Sequence, residues 1–150
     1  MEYKNIVCGV TASTRAQRAA LDAARLARRT GAKLTYVHVV DVSSFQECMD
    51  DSLSSAFVEE SLVRLGMQIV EHAAQIAKTE GIMAEKYLAR GAVRKSLHKV
   101  ARDLGAELLV QGSEDGRTVF RDVLKLAETD DPPMEADRRA EIEDCDQQVS

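Results

Sequence analysis

The sequence predicts an α/β domain of the doubly wound kind: a small parallel sheet of about four strands with helices on both faces. Three observations predict it. Short apolar, β-branched runs alternate with long patterns of 3.6-residue period along residues 1–127. Glycines punctuate the helical patterns at Gly31, Gly81 and Gly105. The apolar runs are near-continuous rather than alternating, as in strands buried on both faces.

The first strand is "NIVCGV", residues 5–10. It runs into "TASTRAQ", where Ser13 or Thr14 is a helix cap, and the helix continues to about Arg29. Ala16, Ala20, Ala23 and Ala27 form its inner stripe, and small side chains let a helix lie close to a sheet. Arg15, Arg18, Asp22, Arg25 and Arg29 form its outer stripe. The second strand is "KLTYVHVVD", 33–41, followed by a polar loop over 42–52. A helix from about Leu53 to Thr79 carries the stripe Val58, Leu62, Leu65, Ile69, Ala73 and Ile76. "AEKYLAR", 84–90, is the third strand and is polar enough to sit at a sheet edge. The next helix turns Val93, Leu97, Val100, Ala101 and Leu104 inward. "ELLVQG", 107–112, is the fourth strand. After the loop that follows it, Phe120, Val123, Leu124 and Ala127 form one face of a last helix.

Beyond residue 127 the pattern collapses. The segment 128–150 has two prolines and few large aliphatic residues, so it reads as a mobile acidic tail with a frayed turn near 134–143. The domain is therefore assigned to 1–127 and the tail to 128–150. The net charge of −5 hides an asymmetry between them. The tail holds nine acidic and two basic residues, net −7, which leaves the body at net +2. A near-neutral body does not suggest a nucleic-acid partner.

The three cysteines, Cys8, Cys48 and Cys145, are scattered and form no Cys-x-x-Cys pair. That suits a reducing compartment and gives no metal signature. No apolar run approaches the ~20 residues of a membrane span. The first residues lack the charged start and apolar core of a signal peptide, so the expected location is the cytoplasm.

Right-handed crossovers place ligands of such a Rossmann-like sheet beyond the carboxyl ends of the strands. Those ends are Val10–Ser13, Val40–Ser43 and Gly112–Thr118. At these ends the chain resembles the universal stress protein family. The segment "NIVCGVTASTRAQRAALDAARLARRTGAKLTYVHVVD" has the family's strand, Ser-bearing loop, alanine-rich helix and "HVV" strand. The segment "GIMAEKYLARGAVRKSLHKVARDLGAELLVQGSEDGRT" has its Leu-Gly-Ala break and a strand leading to Gly-Ser and Gly-Arg-Thr. The resemblance spans residues 3 to about 125.

It implies a stress-response protein, commonly dimeric, in which a subset of members binds ATP. In those members the first strand ends in aspartate, a Gly-x-x-Gly loop wraps the phosphates, and a Gly-Ser or Gly-Thr pair nine residues on completes the cradle. Backbone N–H groups there approach the anion, and only glycine lets them come close. The matching positions here are Thr11, Ala12, Val40, Gly112, Ser113, Gly116 and Arg117. Thr11 replaces the aspartate and Ala12 the following glycine. The loop Gly112–Gly116 is one residue longer and carries Glu114 and Asp115, whose charges oppose a phosphate. Leu126-Ala127 stands where Gly-Ser would be. ATP binding is thus expected to be weakened or lost, and turn-making is the main role of Gly112 and Gly116. The alternative is an ATP-binding regulator with a relaxed pocket at the ends of strands 1, 2 and 4. The family also closes its sheet with a fifth strand after the last helix, commonly paired across the dimer. No such run exists here, so the fourth strand is expected to be an uncovered edge that templates pairing with another chain, or instead one covered by the tail or a partner.

Catalytic readings are weak. His38 has no nucleophile or carboxylate beside it in sequence and reads as structural; His72 and His98 read as solvated. Ser13 is a cap, and no Gly-x-Ser-x-Gly surrounds Ser13 or Ser113. No His/Cys spacing suits a metal. The arginine stripe of the first helix lacks interleaved aromatics and reads as a solvated face that attracts the acidic tail. The expected function is binding and self-association, through a homodimer or a protein partner, without turnover.

Overall fold

The structure, a computed structural model, describes residues 3–41, 55–113 and 115–128. The order is β1 (Asn5–Gly9), α1 (Thr14–Thr30), β2 (Lys33–Val40), α2 (Ser55–Thr79), β3 (Glu85–Arg90), α3 (Val93–Asp103), β4 (Leu108–Gly112), β5 (Thr118–Asp122) and α4 (Val123–Glu128). The sheet has five strands in the order β3-β2-β1-β4-β5. The first four are parallel, with Cys8 beside Tyr36 on one side and Val110 on the other. β3 is an edge strand, as its polarity implied.

Two expectations are corrected. Residues 118–122 are a strand, not the start of the last helix, and that helix begins only at Val123. The fourth strand is not an open edge, because β5 pairs with it in antiparallel register, Val110 opposite Phe120. The physical reason is the loop between them, which turns the chain straight back rather than leading it over the sheet. This strand differs from the family's expected one in preceding the last helix, and no strand follows α4 among the described residues.

Two apolar layers flank the sheet. On one face α1 and α2 cover Ile6, Cys8, Leu34, Tyr36, Leu108 and Val110. On the other, α3 and Val123 of α4 cover Val7, Val37, Val39 and Leu109. The inner face of α1 is alanine throughout: Ala16, Ala19, Ala20, Ala23, Ala24 and Ala27 are all buried. Ser13 caps this helix, its hydroxyl accepting from the Ala16 N–H at 3.2 Å, and Gly31 ends it in the left-handed region at φ 74°. Without larger side chains the helix sits low on the sheet. There the Tyr36 hydroxyl donates to the Ala20 carbonyl at 2.8 Å. Cys8 is wholly buried in the same layer, and burial, reinforced by the Asp22 carboxylate, pushes its thiol up and keeps it protonated.

The buried line of α2 differs from the sequence expectation by a small rotation. Val58, Gly66, Val70, Ala73 and Ala77 face the sheet, while Leu65 is exposed. Gly66 sets this rotation. A Cβ there would lie 2.7 Å from the His38 ring and 3.0 Å from Leu88, so only glycine admits His38 beneath the helix. Leu104, expected to face inward, is the C-cap of α3 and is substantially exposed.

Candidate functional site at the strand ends

The strand order reverses between β1 and β4, so the crevice to inspect lies beyond their carboxyl ends, over the start of α1. Thr11 and Ala12 follow β1, Gly112 and Ser113 close β4, and Val40 ends β2 next to β1. The fold therefore brings most of the sequence-selected residues to one end of the sheet. Their local bonding is inward-looking. The Thr11 and Ser13 hydroxyls lie 3.0 Å apart, and the Ser13 N–H donates to Thr11 Oγ1 at 3.3 Å. The Val40 carbonyl accepts the Gly91 N–H at 3.1 Å. The Val10 carbonyl accepts from His38 Nδ1 at 2.9 Å, which fixes that proton on Nδ1 and makes the ring a strut between β2 and the end of β1.

The loop after β4 is closed on itself. The Ser113 N–H donates to the Arg117 carbonyl at 2.8 Å, and the Gly116 N–H donates to the Ser113 carbonyl at 3.2 Å. The Ser113 hydroxyl lies on both the Arg117 carbonyl, at 3.0 Å, and the Asp115 carboxylate. That carboxylate also accepts the Arg117 N–H at 3.2 Å and pairs with the Arg117 guanidinium at 3.6 Å. Gly116 supplies the left-handed residue of this turn at φ 84°. Asp115 therefore builds the turn, a role hidden in sequence by its resemblance to a phosphate-repelling charge. Glu114 lies outside the described residues.

Hydrogen bonds from Ser113 and from the Arg117 backbone hold the Asp115 carboxyl below the usual aspartate value. Its folded value is lowered relative to the unfolded chain. Its contribution is thus present above the ordinary aspartate pKa of about 3.9 and is lost as pH falls through the folded value. A carboxyl-carbon NMR titration will give Asp115 a midpoint below that figure. A midpoint at or above it contradicts the hairpin bonding.

Gly112 has an ordinary backbone and a different reason to be glycine. A Cβ there would stand 2.8 Å from the Arg15 carbonyl oxygen and 3.0 Å from its carbon, both in the main chain of α1. The close approach that the resemblance assigns to a phosphate is taken by the first turn of α1. Sequence reasoning also missed the tie beside it, where the Thr118 hydroxyl of β5 donates to the Asp22 carboxylate of α1. The strand that places Thr118 there had been read as helix. Among the described residues no cluster of three or more His, Cys, Asp or Glu is placed to hold a metal. No described helix is long and apolar enough to cross a membrane. His72 is exposed and His98 half-buried, both on helices.

A mainly parallel sheet between two helical layers, with its crevice where the strand order reverses, defines a doubly wound, Rossmann-like α/β domain. The model of the universal stress protein family matches residues 2–141, and the chain belongs to that family. No curated protein matches the chain significantly. Among solved structures, a universal stress family protein from Burkholderia pseudomallei is 22% identical, with 87% of this chain and 92% of that one covered and a TM-score of 0.66. Universal stress protein UspA from Lactobacillus plantarum is 21% identical, with coverages of 76% and 81% and a TM-score of 0.64. A universal stress protein from Archaeoglobus fulgidus in complex with dAMP is 23% identical, with coverages of 74% and 82% and a TM-score of 0.55. These likenesses support the fold.

Proposed function

We propose that this chain is a stress-response protein of its family that works by binding and self-association in the cytoplasm, without catalysing turnover, and that its ATP binding is weakened or lost. The observation that carries this reading is the Gly112–Arg117 hairpin. An anion cradle needs N–H groups aimed at the ligand from a glycine loop and a helix start. Here the Ser113, Gly116 and Arg117 N–H groups are spent inside the turn, and the turn leads into a strand instead of a helix. Gly112 is pressed against α1. Thr11 supplies a hydroxyl where a charged acceptor would be.

The second reading is an ATP-binding regulator with a relaxed pocket formed by Thr11, Ala12, Val40, Gly112, Ser113, Gly116 and Arg117. It draws support from the shared fold of the relative solved with dAMP. Thermal unfolding with and without Mg-ATP separates the two. A ligand at 100 times its dissociation constant stabilises by about 2.7 kcal/mol. We expect no shift in midpoint at millimolar Mg-ATP; a clear rise selects the relaxed pocket. Native mass spectrometry of the protein purified from cells tests self-association and carried nucleotide together.

A further inference from the structure

The outer stripe of α1 and the β5 edge together form a surface that the function above does not use. Thr118 and Phe120 point to the α1 side, since Phe120 stands opposite Val110, which packs under α1. Phe120 is 49% exposed, a large aromatic left open on the outermost strand. It shares a shallow basin with Asp22, Arg25, Arg28, Arg29 and Glu80. Arg25 and Arg28 both pair with Glu80, at 3.5 and 3.7 Å, so one carboxylate serves two guanidinium groups. Asp22 is turned to Thr118. Arg18 and Arg29 are exposed and enter no ion pair among the described residues. The basin is thus cationic, has one apolar floor tile, and borders a strand beyond which no described strand lies.

We propose that the acidic C-terminal segment of the same chain, residues 129–150, folds back over the β5 edge and docks on this α1–Phe120 surface. Charge selects it: the excess of acid in this protein is confined to residues 128–150, while the body is net positive. Sequence fits the surface, with Ile142 set among Glu141, Glu143 and Asp144, an apolar group for Phe120 and carboxylates for the arginines. Topology permits it. α4 follows β5 directly, packs on the opposite face by Val123 and ends at Glu128, so the segment has only the single outer strand β5 to pass in order to reach α1. Twelve residues separate Glu128 from Glu141. Extended, they reach about 40 Å, ample to pass round one strand and onto α1. A second copy fits less well. Two copies paired symmetrically along β5 would bring like-charged arginine rows toward one another. Docking covers the edge and its aromatic, closing it to addition of a foreign strand.

The chain carries its own reporter. Cys145 lies in the acidic segment and Cys8 is buried, so a Cys48→Ser variant of the full chain takes a nitroxide label at Cys145 alone. Amide signals of Thr118–Asp122 and Arg25–Arg29 are then compared with the label paramagnetic and reduced. We expect them to lose most of their intensity at 0.15 M salt and to recover at 1 M, where the screening length falls from about 8 to about 3 Å. In the Arg18→Glu/Arg29→Glu variant we expect them to stay sharp. Unbroadened signals in the parent overturn the proposal. Broadening that survives the charge reversal overturns the arginine row as the seat. Broadening only when labelled chains are mixed with isotope-labelled ones assigns the surface to a second copy and overturns docking within one chain.

Discussion

Cutting Tyr36 back to alanine will remove about 3–5 kcal/mol of unfolding free energy, the range for deleting a large buried aromatic ring. Among the described residues Tyr36 is the largest fully buried side chain, and it stands in the central part of β2, under α1. Its neighbours cannot close the gap. The alanines above it have no reach, and the backbone of α1 is already low on the sheet. Domains of this size hold some 5–15 kcal/mol in total, so the loss takes about a fifth or more. Tyr36→Phe isolates the hydroxyl and its bond to the Ala20 carbonyl, for which about 1 kcal/mol is expected. Urea unfolding of the three proteins measures both. A loss under about 1 kcal/mol for Tyr36→Ala shows that the α1 layer collapses onto the cavity and that the close-set helix is not rigid.

The second large effect separates packing from ligand binding at Gly112. Gly112→Ala will cost about 1–3 kcal/mol in the absence of any nucleotide, because the added carbon meets the Arg15 backbone and no flexible side chain can yield. Gly116 behaves differently. Its φ is 84° with open space around it, so the demand is conformational. Alanine there costs about 1–2 kcal/mol, and asparagine, which enters the left-handed region readily, costs less. Asparagine at 112 will be at least as damaging as alanine. Equilibrium unfolding of the four variants checks the pattern. An unaltered stability for Gly112→Ala removes the packing account and returns that glycine to a ligand-binding role.

Much of the sheet was legible because buried parallel strands announce themselves. Asn5–Gly9, Lys33–Val40 and Leu108–Gly112 are short β-branched runs between glycine-ended helices, and the structure starts and stops them within a residue or two. The alanine face of α1 was legible for the same reason, since its spacing admits one buried side. The fifth strand was not, because Phe120, Val123, Leu124 and Ala127 also satisfy a helical period. The deciding signal was local. Thr118-Val119-Phe120 is β-branched and aromatic, and it follows a five-residue loop with glycine at the left-handed position. The rotation of α2 was hidden because it depends on His38, a residue of another element, fitting against Gly66. At the strand ends the position of these residues was legible but their bonding was not. Nothing in the order of Ser113, Asp115 and Arg117 reveals that they satisfy one another.

The hairpin also changes how the sheet comes apart. Every other strand pairing joins segments separated by a helix, so releasing one of those strands disturbs a crossover and the layer it carries. β5 follows β4 through a short turn, and its Thr118 hydroxyl ties it to α1. It can peel away and return while the four parallel strands keep their registers, a small hinged flap on an otherwise interlocked body.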